Sequence, residues 1–308
     1  MRVAVLGAGR IGSFRAKVLK GLPEVDEIVV GNRTVERAEK LAGEVGGEGG
    51  TIQEALDSGP DAVFVSLATE LHAEWLHRCI DAGLPIFCEK PIALTLKETS
   101  DVLHHAEKAD ALIQIAFQRR LDPDYRKAYE EVRSGSLGTL YVVRITAHDA
   151  EPAPEEFIAS SGGAYRDLHI HDFDLARWLT GLEVEQVYAV GSVKGFDRYA
   201  RFGDVDNAAV LMTMSDGLPV LVTGTRHNPR GHDFRVEVFG SEDSLSVGQN
   251  SLSQPRPVEP GTPSPMEGPY RYFMERFGES LRRETMAFIQ VMGANARTQA
   301  PPPQRWRR

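Results

Sequence analysis

The chain has 308 residues, 42% of them hydrophobic and 26% charged, with a formal net charge of −9. That length allows two domains and a large core, and the negative balance argues against nucleic-acid and anionic-membrane partners. The two cysteines, Cys79 and Cys88, form neither a disulfide framework nor a metal-type spacing. With no leader-like stretch after Met1 and no apolar run of bilayer length, the expectation is a cytoplasmic protein that does not enter a membrane.

The first third alternates strand and helix signals. Apolar runs at 3–6, 28–30, 62–65, 86–88 and 112–117 read as strands. Helical stretches at 10–20, 34–45, 70–82 and 96–108 lie between them, and glycines at 46, 47, 49 and 50 end the second. Such alternation predicts an α/β Rossmann domain with a doubly wound parallel sheet. The pattern changes after Gln118. Helices are expected at 123–133 and as one run over 165–179, and a strand at 140–147. Strand signals then follow without helices at 184–193, 207–214, 219–225, 234–239 and 244–247, with Ser-Asp-Gly-Leu between Met214 and Pro219 as a hairpin turn. This half reads as an α+β domain with a large, mainly antiparallel open sheet. Residues 249–269 read as a long surface loop and 270–292 as a final amphipathic helix. The domains are therefore 1–118 for the dinucleotide, 119–296 for substrate and oligomerisation, and a disordered tail at 297–308.

Gly7, Gly9 and Gly12 follow the first strand and open the first helix. Gly7 permits the tight turn, Gly9 lets backbone approach a pyrophosphate, and Gly12 lets the helix pack on the sheet. The second strand should end in an acidic residue for the ribose hydroxyls of NAD. Asn32 stands there instead, followed by Arg33, Thr34 and, one turn on, Arg37. No carboxylate repels a 2′-phosphate, and the two arginines and the threonine hydroxyl can pair with one. The run resembles the Asn-Arg-Thr phosphate clamp of NADP-dependent shikimate dehydrogenases. NADP is favoured over NAD, and the same two arginines could equally be solvated charges at a helix start. The expected cofactor set also includes Arg10 and Ile11 in the glycine loop, Ser66, Leu67 and Ala68 after the third strand, and His72, Glu89 and Lys90.

Lys90 lies just past a buried strand, where ligands sit in open α/β sheets, and Pro91 holds it extended. A lysine there can donate to a substrate oxygen. Read as one helix, 165–179 puts Asp167 and His171 at i, i+4 on a shared face. The carboxylate can orient the imidazole as general base for an alcohol proton. His169 points elsewhere and reads as a bystander or rim residue. Two other readings stay open. A strand would turn His169 and His171 the same way as metal ligands, although the apolar spacing favours a helix and no metal is expected. A structural aspartate–histidine pair is the second.

GAGRIG, CEKP and RDLHIHDFDLARWL together resemble the Gfo/Idh/MocA oxidoreductases. IFCEKPI, QRRLDPDY, SGGAYRDLHIHDFDLARWLTG, GDVDNAAV and FRVEVFGS are similar to segments of the inositol 2-dehydrogenases in that family. The resemblance implies an NAD(P)-dependent dehydrogenase of a cyclitol or sugar. Lys90, Asp167 and His171 would be its catalytic residues, and Arg119, His148 and His232 would line the pocket. It also implies a homodimer or homotetramer built through the open sheet. Asn32, Gln118 and His232 depart from the group's pattern. Another sugar dehydrogenase or reductase, or a dinucleotide-binding regulator without turnover, is the alternative.

Overall fold

The computed structural model describes residues 1–249, 258 and 270–297. Most of the expected surface loop at 249–269, and the tail beyond 297, lie outside the described residues. Among the described residues two compact units emerge, Met1–Ala116 with 282–297, and Phe117–Leu281. The final helix therefore gives its second half to the first unit, where the sequence had suggested that 119–296 forms the second domain alone.

In the first unit the order is β1 (Arg2–Leu6), α1 (Arg10–Lys20), β2 (Glu27–Gly31), α2 (Val35–Val45), β3 (Glu48–Gly50), α3 (Ile52–Asp57), β4 (Ala62–Val65), α4 (Thr69–Asp81), β5 (Ile86–Cys88), α5 (Leu96–Lys108) and β6 (Ile113–Ile115). Every strand pairs in parallel, in the order β3-β2-β1-β4-β5-β6. The central strands β1, β2, β4 and β5 are mainly apolar and bury side chains on both faces of the sheet. Val3, Val5, Phe64 and Phe87 enter one core with α1, α2 and Phe288. Ala4, Leu6, Val63, Val65, Ile86 and Cys88 enter the other, under α3, α4 and α5.

The sequence reading missed β3 and α3. Glu48–Gly50 has no strand propensity, but α2 crosses so close that a Cβ on Gly49 would overlap the backbone at Ala38 and Glu39. The helix α3 has only six residues and starts on a capping box, in which the Thr51 hydroxyl accepts from Glu54 N and the Glu54 carboxylate accepts from Thr51 N.

The second unit contains α6 (Pro123–Ser134), β7 (Leu140–His148), α7 (Glu155–Ser161), α8 (Ala164–Asp167), α9 (Ile170–Thr180), β8 (Val184–Ser192), α10 (Arg198–Arg201), β9 (Asn207–Met214), β10 (Pro219–Thr225), β11 (Asp233–Gly240), β12 (Ser244–Val247) and the first part of α11 (Phe273–Arg297). The strand order is β12-β11-β7-β10-β9-β8. All pairings are antiparallel except β7 with β10, which is parallel. Alternate residues of β7, β9, β10 and β11 pack against Tyr125 and Ala128 of α6 and Leu175, Ala176 and Leu179 of α9, so only one face is covered. Asp122 locks this unit twice. One carboxylate oxygen caps α6, accepting from Asp124 N and Tyr125 N, and the other accepts from Arg276 and Ser280 of α11.

The expected single helix over 165–179 is a correction. It is two helices, α8 and α9, with Leu168 and His169 between them. Asp167 therefore closes one helix and His171 is the second residue of the next, and i, i+4 spacing on one helix face does not relate them. The short helices α7 and α10 were also not foreseen.

In the first unit Arg15 is fully buried and meets two carboxylates, Glu89 at 2.9 Å and Glu284 at 2.8 Å, plus the Thr285 hydroxyl at 2.9 Å. Breaking a buried charge group costs more than the group itself stabilises, because the partners stay behind unneutralised. Arg15→Met is expected to destabilise the protein by about 3–5 kcal/mol in urea unfolding, and Glu284→Leu added to it should recover part of that loss.

Candidate active site

The order β3-β2-β1-β4-β5-β6 reverses direction between β1 and β4, and ligands bind such sheets at the strand C-termini near that point. The glycine loop sits there. Gly7 has φ +109°, and a Cβ on it would overlap the Ser66 carbonyl. A Cβ on Gly12 would overlap the Gly7 carbonyl oxygen, whereas one on Gly9 would meet no atom within 4 Å. Space is thus left at Gly9, where α1 begins without a side-chain cap. Uncapped N–H groups beside open space suit a pyrophosphate. Arg10 is exposed and Ile11 half-buried at this rim.

Asn32 holds the end of β2 to that loop. Its Oδ1 accepts from Ala8 N at 3.1 Å, and its Nδ2 donates to Thr34 O at 2.9 Å. Arg33, Thr34 and Arg37 are exposed, and the Thr34 side chain does not cap α2. After β4, Ser66 N donates to Leu6 O while its buried hydroxyl has no protein partner. Leu67 is half-buried and Ala68 exposed. Lys90 follows β5, half-buried, and its bond to Pro91 is cis.

Two expected dinucleotide contacts are placed differently. The His72 ring is 1% exposed, and its nitrogens lie against two backbone carbonyls, Pro91 O at 2.8 Å and Leu67 O at 3.0 Å. Burial holds its pKa below the usual histidine value despite these carbonyls. Glu89 turns its carboxylate to Arg15 rather than outward, because Arg15 needs a counter-charge. Both brace the lysine turn from behind.

In the second unit the polar groups gather at the C-terminal ends of β7 and β10. Parallel pairing sets His148 opposite Thr225, so the next residues, Asp149 and Arg226, also come together. Arg226 is 4% exposed, and its Nη1 forks between Asp167 at 3.0 Å and Asp149 at 3.2 Å. Burial alone would lower the Arg226 pKa, but Asp167 and Asp149 outweigh it and the guanidinium stays charged. His232 is 6% exposed and lies 3.5 Å from Asp149. The Thr225 hydroxyl donates to His227 O at 3.0 Å and lies 2.8 Å from His148 Nδ1. The hydroxyl therefore accepts from Nδ1–H, and Nε2 of neutral His148 is an acceptor. Burial lowers the His148 pKa and so keeps the ring neutral. The half-buried His171 ring stands edge-on to Phe117, centroids 6.0 Å apart.

Two further expectations are corrected. His169 is not a rim residue. It is 1% exposed and its Nδ1 lies 2.7 Å from Asp172, itself fully buried. Gly224 in β10 leaves room for this ring, since a Cβ there would overlap it. Arg119 is interior too, 3% exposed, bonded to Asp172 at 2.5 Å with its guanidinium over Phe234 and Phe277. Burial would raise the Asp172 pKa, but Arg119 and His169 hold it below the usual carboxylate value. Arg119 thus neutralises the aspartate that orients His169 from inside the unit.

The sequence reading missed Arg226, Asp149 and Asp172. A signal existed: Arg226 stands one residue, and Asp149 two residues, past a predicted strand. It could not be used without the parallel pairing of β7 and β10. Among the described residues, no group of three or more His, Cys, Asp or Glu side chains could hold a metal ion. None of their helices is long and apolar enough to cross a membrane.

Residues 1–117 match a family model described as an oxidoreductase family with an NAD-binding Rossmann fold, and residues 125–246 match the GFO/IDH/MocA C-terminal domain. A myo-inositol 2-dehydrogenase of Thermotoga maritima is 33% identical over 306 residues, 98% of this chain and 90% of that protein. A scyllo-inositol 2-dehydrogenase (NAD(+)) of Bacillus subtilis is 34% identical over 252 residues, covering 80% of this chain and 74% of that one. The crystal structure of a myo-inositol dehydrogenase from Corynebacterium glutamicum superposes with a TM-score of 0.85 at 28% identity, covering 96% of this chain and 89% of that one.

The fork at Arg226 makes a specific demand. Arg226→Met removes the cation that the Asp149 and Asp167 carboxylates share. Turnover is expected to fall by about 10²-fold, the scale of a misplaced catalytic group, with a loss of stability on thermal unfolding. Arg226→Lys, a point charge that cannot fork, should fall between the two.

Proposed function

This chain belongs to the Gfo/Idh/MocA oxidoreductase family, and from that premise we propose that it is a cyclitol dehydrogenase of the inositol 2-dehydrogenase kind. The observation that carries the reading is the buried cluster at the ends of β7 and β10, where Arg226 holds Asp167 and His148 presents a hydrogen-bond acceptor. A polyhydroxylated ring needs such a set of fixed donors and acceptors. His171 would take the hydroxyl proton of the reacting carbon, and a dinucleotide bound at the glycine loop would supply the acceptor for its hydride, leaving a ketone. Lys90 donates a hydrogen bond to the reacting oxygen and stabilises its developing negative charge. Asp167, fixed by Arg226, keeps the site in register. His148 and His232 take ring hydroxyls.

The bound dinucleotide supplies the hydride acceptor; the chain's own part is to hold it at Gly7, Gly9 and Gly12. We favour NADP. The end of β2 has no carboxylate, the Asn32 amide is engaged with Ala8 and Thr34, and exposed Arg33, Arg37 and Thr34 stand beside it.

Copies of the chain would associate through the open face of the second sheet, as a homodimer or homotetramer. Tyr188, Leu211 and Leu221 form one exposed apolar row across β8, β9 and β10. Cys79 and Cys88 are both buried free thiols, and burial pushes the Cys79 thiol up to about 12, which suits a reducing cytoplasm.

The test is a panel of inositols and sugars assayed with NAD and NADP by nicotinamide absorbance. Turnover of an inositol with lower KM for NADP is expected. No turnover of any cyclitol overturns the activity, and a clear NAD preference overturns the reading of Arg33. Lys90→Met should keep dinucleotide affinity and lose about 10²–10³-fold in kcat; wild-type turnover in that variant would refute the role of Lys90.

A further inference from the structure

We propose that His72 is a positioning residue that ties the turn bearing Lys90 to the loop after β4, so that one imidazole sets both the lysine and the dinucleotide side of the site. The proposal rests on the dehydrogenase reading for its chemical step, but its binding half does not need a substrate.

The geometry is specific. His72 lies in the first turn of α4, and its ring reaches across the ends of two neighbouring parallel strands, β4 and β5, which pair Val65 with Cys88. Nδ1 lies 2.8 Å from Pro91 O, the residue after Lys90, and Nε2 lies 3.0 Å from Leu67 O, the residue after Ser66. Ser66 in turn packs its carbonyl under Gly7 of the glycine loop. One side chain thus touches both strand-end segments that the sheet turns toward a ligand.

The chemistry suits a brace better than a ligand contact. Carbonyl oxygens only accept, so a neutral ring can donate to one of the two and an imidazolium to both. The ring is 1% exposed, and burial favours its neutral form, which leaves it with one N–H for two acceptors. The Cys88 thiol, 3.8 Å from Nδ1, donates instead to Glu89 O at 3.1 Å. Arg15 holds the Glu89 side chain on the other side of the same turn. Lys90 thus stands between two anchors, Arg15 acting through Glu89 and His72 acting through Pro91. A buried apolar residue in place of His72 would fill the space but take away the one N–H that the ring offers to the two carbonyls.

The test uses the full chain with His72→Phe and His72→Asn, and with His77→Phe as a control on the same helix. His77 stacks on His105 and bonds to it at 2.8 Å, with no tie to either strand end. Dinucleotide Kd for NAD and NADP is measured by fluorescence titration, and kcat and KM are measured with the best inositol. His72→Phe is expected to weaken dinucleotide binding about 10-fold and lower kcat about 10²-fold, the scale of an ångström of misplacement, with cyclitol KM unchanged. His72→Asn, whose amide can donate to one carbonyl, should recover part of both losses, and His77→Phe should match the wild type. His72→Phe, folded, with wild-type Kd and kcat overturns the proposal, as does a His72→Asn variant no better than His72→Phe, or a loss confined to thermal stability or to cyclitol KM. If the wild type oxidises no cyclitol, the dehydrogenase reading fails, and the dinucleotide titration still decides for or against His72.

Discussion

A charge taken out of water must find its opposite inside the fold, and in this protein that need links segments far apart in sequence. Arg15 of α1 gathers Glu89 at the end of β5 and Glu284 of α11. Arg119 reaches Asp172 of α9. Arg226 after β10 gathers Asp149 after β7 and Asp167 at the end of α8. Each arginine is nearly inaccessible to solvent, so each group is strongly destabilising if broken and fixes where its carboxylates stand. The candidate site residues are among those carboxylates or their immediate neighbours. Lys90 follows Glu89, and His171 precedes Asp172.

The two units solve the burial problem differently, and the site follows from the difference. The parallel sheet is covered on both faces, which leaves its strand C-termini as the open edge for a ligand. There glycine supplies what no other residue can: a positive φ at Gly7, close approach of helix and turn at Gly12, and vacant space at Gly9. The second sheet is covered on one face only. Its single parallel pair, β7 with β10, places two C-terminal strand ends side by side. An antiparallel pair would have sent His148 and Arg226 to opposite ends of the sheet.

The same contrast explains where sequence reasoning reached its limit. Strands at Ala62–Val65, Ile86–Cys88, Asn207–Met214, Pro219–Thr225 and Ser244–Val247 and helices at Arg10–Lys20 and Leu96–Lys108 are legible from apolar pattern alone, because burial of their apolar faces dominates their energetics. β3 was not legible, since Glu-Gly-Gly is a strand only because α2 crosses over it. Nor was the break at Leu168–His169. The run around it keeps a helical apolar rhythm, and the interruption is enforced by tertiary contacts, with His169 turned inward to Asp172 over the bare Gly224.

The sequence by itself determined the dinucleotide fold and the family, and it nominated Lys90, Asp167 and His171, because glycine turns, apolar periodicity and long motifs are local and survive without coordinates. Only the tertiary structure decided which polar residues are buried anchors. His72, Glu89, Arg119 and His169 all look like site residues or rim residues along the chain, yet each turns inward to a partner. Arg226 and Asp149 each stand just past a strand, and only a parallel pairing between strands more than seventy residues apart brings them together. Charge neutralisation in a buried place is a non-local requirement, so the partner that meets it can be read only once the chain is folded.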